Sequence, residues 1–149
     1  MFSTFDKSTF PIIKVTLDGE PESDTDFQLF LDQWLELYDD KKDFIFFFNT
    51  ENVRSPPLKY CLKMSYFIKE LRKKEYQYLQ KSILLINSNK VKWLLDLIFL
   101  IQPPVAPVYI YHIDNRHEQT SREKLIFVYD LYDFFSLFHP FFLPPLLIH

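Results

Sequence analysis

The sequence predicts one α/β domain, in which a mostly parallel sheet of four to five strands alternates with amphipathic helices. Two patterns predict this fold class. Short apolar runs rich in β-branched residues alternate with longer segments whose apolar residues recur every three or four positions. The links between these segments are short, as is typical of parallel strands joined by right-handed crossovers. The length of 149 residues is that of one domain with one core.

The first strand and helix are predicted from residues 10–38. Residues 10–17 are β-branched and end at Asp18 and Gly19, the only glycine, where a positive φ costs little. Residues 2–5 are a candidate hairpin partner for this strand. Ser23 or Asp24 is placed to cap a helix. The apolar face of that helix comprises Phe27, Phe30, Leu31, Trp34, Leu35 and Tyr38.

The second strand and helix are predicted from residues 44–74. Residues 44–48 are apolar on both faces, which predicts a buried parallel strand covered by helices on each side. Residues 49–54 are polar and are predicted to form a loop. Ser55 followed by Pro56 predicts a helix start with a capping hydroxyl, and the helix is expected to run to about residue 74.

The remaining elements are predicted from residues 82–135. Residues 82–86 and 107–113 are predicted to be strands. Residues 87–89 are predicted to cap a helix whose apolar residues recur at helical spacing and which ends before Pro103. Thr120 with Glu123 fits a capping box. Because apolar residues follow it at helical spacing, a last helix of about four turns is predicted after that box.

Composition argues against catalysis and against several ligand classes. A net charge of -3 gives no field that attracts nucleic acid. One glycine is too few for a glycine-rich phosphate loop, so no nucleotide cofactor is predicted. Cys61 is the only cysteine, which rules out an internal disulfide and a cysteine-based zinc site. None of the four histidines is spaced for metal binding on a helix, so we predict no catalytic residue, no metal site, no cofactor and no enzymatic activity.

Compartment is predicted from the lone cysteine and from the absence of targeting patterns. The opening residues show no basic region followed by an apolar stretch, and no apolar run approaches the roughly 20 residues that span a bilayer. We therefore expect an intracellular protein in a reducing compartment, the cytoplasm being the simplest, without a signal peptide or transmembrane helix. Any membrane contact is expected to be peripheral.

The C-terminal end is the least ordinary part of the sequence. We divide the chain into an α/β domain over residues 1–137 and an apolar tail rich in proline and phenylalanine over residues 138–149. An apolar tail of this kind has to be covered. It can lie on the domain's own sheet, dock on another protein, or insert shallowly into a membrane interface. Its candidate contact residues are Phe138, Phe141, Phe142, Leu143 and Leu146.

Three stretches carry a family resemblance: the opening strand at residues 11–16, the phenylalanine-rich strand that runs into Asn49 and Thr50, and residues 93–107. Together with the order of elements, they resemble the STAS or SpoIIAA-like domains, the anti-sigma-factor-antagonist fold. The resemblance implies a regulatory serine or threonine at the start of the helix after a central strand. The matching loop contains Thr50 and Ser55, and Ser55 aligns best with that position.

We therefore predict a non-enzymatic, STAS-like protein-interaction module, with a regulatory role implied by the resemblance. A protein partner of unknown identity is expected, and the oligomeric state is left open. One alternative is an accessory or structural subunit of a large assembly, docked through the apolar tail. A second alternative is a small-molecule or lipid-binding module, because a core rich in aromatic residues can enclose a pocket between sheet and helix.

Overall fold

A computed structural model describes residues 1–114 and 122–129 of the chain. Among these residues, strands and helices alternate from β2 through β5, as predicted. In chain order the elements are β1 (Ser3–Asp6), β2 (Ile12–Gly19), α1 (Asp24–Asp39), β3 (Phe44–Val53), α2 (Leu58–Leu71), β4 (Leu79–Ile86), α3 (Asn89–Ile101), β5 (Val108–Asp114) and β6 (Arg122–Tyr129).

The described strands form one six-stranded sheet, in which spatial order follows chain order from β1 to β6. Strands β2 to β5 are parallel to one another. The two outer strands are antiparallel to their neighbours, β1 to β2 and β6 to β5. The α/β class and the mostly parallel sheet are confirmed, and so is the hairpin at the N-terminus. The sheet has six strands rather than four to five.

All three helices pack on the same face of this sheet. When parallel strands follow one another in sheet order, right-handed crossovers place every connecting helix on one side. The ring of Trp34 in α1 contacts Phe46 and Phe48, alternate residues of β3, at centroid distances of 4.8 and 6.0 Å. Val91 and Phe99 of α3 join the same buried cluster. The expectation that helices cover β3 on each side is therefore wrong for the described residues.

The N-terminal end of α1 is fixed by side-chain hydrogen bonds. The Ser23 hydroxyl accepts from the Asp26 amide at 3.1 Å, which confirms Ser23 as the cap. The Asp26 carboxylate accepts from the backbone amides of Phe2 and Glu22, each at 3.1 Å, and so ties β1 to α1. The preceding strand ends at Gly19 with a φ of +64°, as its sequence predicted.

The predicted start of the second helix needs correction. Strand β3 runs on through Val53, so most of the predicted loop at residues 49–54 is strand. Helix α2 begins at Leu58. Its N-cap residue is Pro57, and no side chain caps the helix. Ser55 is therefore not the helix cap. Two consecutive prolines explain the delay, because proline disfavours helical backbone in the residue before it and cannot donate an amide hydrogen.

The predicted last helix is replaced over residues 122–129 by strand β6. Its sequence there, Arg-Glu-Lys-Leu-Ile-Phe-Val-Tyr, is rich in residues that favour strands, and it pairs along the full length of β5. Pairing with β5 outweighs the helical spacing of Leu125 and Val128 in deciding the structure of this segment. The capping-box residue Thr120 and the predicted boundary at residue 137 lie outside the described residues. No helix in the described part is long and apolar enough to cross a membrane.

Candidate functional site

A cavity of about 160 Å³ lies between the helical layer and the sheet. Its size is close to that of apolar cavities that take up a benzene ring, roughly 150 Å³. Nearly all the side chains that line it are apolar, and they come from every helix and from β2 to β5. They include Leu17, Phe27, Phe30, Trp34, Phe48, Val53, Cys61, Met64, Ile68, Leu79, Leu84, Val91, Leu95, Ile98, Phe99, Val105, Ala106 and Val108.

The residues that line the cavity lie at both ends of the parallel strands. At the carboxyl ends of the parallel strands it is lined by Leu17, Thr50 and Val53, and at their amino ends by Leu79 and Val108. The lining residues therefore extend along the parallel strands beneath all three helices.

Two side-chain contacts hold α2 against its neighbouring helices beside the cavity. The Tyr60 hydroxyl donates to the Asp24 carboxylate at 3.1 Å, and the Tyr60 ring lies 4.9 Å from that of Phe27. The Ser65 hydroxyl lies 3.0 Å from the Cys61 carbonyl on its own helix and 3.3 Å from the Ile98 carbonyl on α3. These contacts fix the spacing of the helices above the sheet.

Arg72 holds the other end of the helical wall. Its Nη2 donates to the carbonyls of Pro103 and Pro104, at 2.8 and 2.6 Å, in the loop between α3 and β5. Burial lowers the pKa of the Arg72 guanidinium. The same loop supplies Val105 and Ala106 to the cavity, so Arg72 positions part of its lining.

Few polar groups face the cavity. The Thr50 hydroxyl is buried and donates to the Leu85 carbonyl at 2.7 Å, so it is already satisfied. The Ser82 side chain is buried as well. Cys61 is buried, as its place on the apolar face predicted, and burial raises the pKa of its thiol. An apolar molecule suits this lining better than a charged one, because a charge would lose its hydration without gaining a partner.

The residues singled out from the sequence are not brought together in one site. Thr50 lies inside β3, where its buried hydroxyl is inaccessible to a kinase in this conformation. Ser55 lies exposed in the loop before α2. It adjoins Pro56, which lines the cavity. The candidate contact residues Phe138, Phe141, Phe142, Leu143 and Leu146 lie outside the described residues.

The side of the sheet opposite the helices is a second candidate surface, which we call the open face. Side chains alternate along a strand, so the residues between the core positions point to this side. The open face consists of Ile12, Lys14, Thr16, Ile45, Phe47, Asn49, Lys81, Ile83, Leu85, Tyr109, Tyr111 and Ile113. Leu85 and Ile113 are buried, Ile12 is 42% exposed, and most of the other apolar members are half-buried.

Among the described residues, no group of three or more histidine, cysteine, aspartate or glutamate side chains could hold a metal ion. Comparison with protein-family models, with curated proteins and with solved structures found no match for this chain.

Proposed function

We propose that this domain is a non-enzymatic binding module that takes up an apolar molecule, such as an alkyl or acyl chain, between its helices and its sheet. The apolar lining of the cavity carries the proposal. Natural ligand sites are commonly concave and lined mainly by apolar and aromatic side chains. A chain of methylene groups suits an apolar lining of this kind, and each buried methylene contributes about 0.8 kcal/mol.

Binding is tested with a neutral fluorescent probe, N-phenyl-1-naphthylamine, and with dodecanoate as competitor. Probe fluorescence should rise on binding and fall as dodecanoate displaces it. Cys61 gives an independent readout, because it is the only cysteine and lies in the cavity wall. Its thiol should react slowly with iodoacetamide, because burial raises its pKa, and dodecanoate should slow the reaction further.

A matched pair of variants locates the probe. Met64→Trp should fill part of the cavity and weaken probe binding about tenfold or more, because the larger side chain occupies the space that the probe needs. Leu62→Trp is the control, since Leu62 lies on the same helix, is 58% exposed and does not line the cavity. Equal probe affinity in the two variants would contradict the proposal. So would dodecanoate that neither displaces the probe nor slows the reaction of Cys61.

The protein-contact function predicted from the sequence is our second proposal, and we restrict it to the loop around Ser55. Two placements support it: Ser55 is exposed, and its neighbour Pro56 lines the cavity. A partner that binds this loop could therefore respond to the contents of the cavity. A phosphate on Ser55 would add charge at the same point.

The protein-contact proposal predicts that capture of a partner from cell extract changes with Ser55→Asp and not with Ser55→Ala. Quantitative mass spectrometry of proteins captured by the full chain and by both variants is the measurement. Because Ser55 is exposed and caps no helix, neither variant should change the free energy of unfolding by more than about 0.5 kcal/mol. Identical capture by all three proteins would remove the regulatory role.

A STAS-like relationship also stays a proposal. The alternation from β2 to β5 along a mostly parallel sheet supports it. Strand β6 departs from the predicted pattern, so this support is confined to the part of the chain that ends with β5.

A further inference from the structure

None of the three described helices packs on the open face. Sheets made of parallel strands are almost always covered on both sides, because their strands carry apolar side chains on both. This sheet follows that pattern in sequence, since Phe47 and Ile83 on the open face alternate with the core residues Phe46 and Leu84. A covering segment is therefore expected on this side.

The apolar part of the open face is continuous across the sheet. Phe47, Ile83 and Tyr109 are neighbours in register on three successive strands, β3 to β5. Leu85 and Tyr111 form a second pair beside them. Two lysines, Lys14 and Lys81, border the apolar area, and Lys14 lies opposite Asp6 of β1.

The described part of the chain ends close to the open face. Tyr129, the last residue of β6, pairs with Val108, and Val108 pairs with Ser82, which directly follows Lys81. The described part of β6 therefore ends at the edge of the sheet, at the amino ends of the parallel strands. Lys81 lies two strands away, or roughly 10 Å.

We propose that residues 130–149 of the same chain cross the open face and cover it. This segment of 20 residues contains 12 apolar or aromatic residues and three prolines, and it has no lysine or arginine. Crossing from β6 to β2 spans four strand spacings, about 19 Å, whereas 20 residues reach about 66 Å when extended. The only acidic residues of the segment, Asp130 and Asp133, come first, where Lys81 lies nearest.

Covalent attachment favours this occupant over a second copy, another protein or a membrane. A segment that begins at the sheet edge has an effective concentration at the surface in the millimolar range. A separate partner would have to exceed that concentration or displace the segment. The inference does not depend on what the cavity binds, because the cavity and the open face lie on opposite sides of the sheet.

The test is photo-crosslinking of the full chain. Phe47→p-benzoylphenylalanine places a crosslinker at the centre of the open face, and Tyr109→p-benzoylphenylalanine gives a second position on the next strand but one. Tyr66→p-benzoylphenylalanine is the control, because Tyr66 is 65% exposed on α2, on the helical side of the sheet. After irradiation of dilute protein, the monomer is digested and crosslinked peptides are identified by mass spectrometry.

Positions 47 and 109 should each give crosslinks within one chain to peptides from residues 130–149, about tenfold or more above the control. Crosslinks that join two chains would identify a second copy as the occupant and overturn the proposal. Crosslinks that rise only when vesicles or cell extract are added would assign the face to a membrane or to another protein. An absence of peptides from residues 130–149 at both positions would likewise overturn it.

Discussion

Trp34→Ala should lower the free energy of unfolding by about 3–5 kcal/mol, the range typical of removing a large buried aromatic side chain. Trp34 is only 6% exposed and lies at the centre of the core. Its ring packs edge-on against Phe46 at 4.8 Å and against Phe67 of α2 at 5.2 Å. It therefore joins α1 both to the sheet and to the next helix, so its loss removes packing on two sides.

The only other tryptophan supplies the control. Trp93 lies on α3 and is 55% exposed, so Trp93→Ala should cost less than about 1 kcal/mol. Urea unfolding followed by circular dichroism measures both variants against the wild type. Because Trp34 also lines the cavity, Trp34→Ala should alter probe binding, and Trp93→Ala should leave it unchanged. Equal losses of stability in the two variants would show that the core is not centred on Trp34.

Helix α1 was predicted well because one strong local pattern decides it. Apolar residues at helical spacing and a capping serine point to the same segment, and Phe27, Phe30 and Trp34 from that pattern are buried as expected. Strand β3 was predicted less completely. Residues 44–48 are apolar on both faces, and such a run does not reveal which face the helices cover.

The cavity could not be located from sequence, for a physical reason. The sequence pattern of a helix is the same whether its apolar residues contact the sheet or line an empty space beside it. Met64 and Ile98 line the cavity because of how far α2 and α3 stand from the sheet, and contacts distant in sequence set that distance. The sequence supported only the general statement that an aromatic core can enclose a pocket.

Strand β6 was predicted wrongly for a different reason. Over residues 122–129 the spacing of apolar residues predicted a helix, but the segment forms a strand. Pairing with the edge of β5 decides between them, and that edge exists only once the sheet has assembled. Short apolar segments are ambiguous for this reason, because tertiary pairing contributes more than local preference.

Asp26→Asn should lower the free energy of unfolding at pH 7 by about 2 kcal/mol, because hydrogen bonds to a charged group contribute roughly 1.5–3 kcal/mol. The carboxylate accepts from the Phe2 and Glu22 amides and so holds β1 against α1. An asparagine side chain keeps the shape but loses the charge and one acceptor. Asp32→Asn is the control on the same helix, where the carboxylate accepts only an exposed bond from Gln28. It should cost less than about 0.5 kcal/mol.

The dependence on pH separates the charge of Asp26 from its packing. Burial would raise the pKa of this carboxyl, but the amide donors of Glu22 and Phe2 outweigh burial, and its pKa lies below the ordinary value of 3.8. A lowered pKa stabilises the fold fully above the pKa of the unfolded chain, and this stabilisation is lost as pH falls through the folded value. The difference between wild type and Asp26→Asn should therefore be constant from about pH 5 to 7 and shrink below about pH 4. A difference that stays the same down to pH 3 would assign the effect of Asp26 to shape rather than to charge.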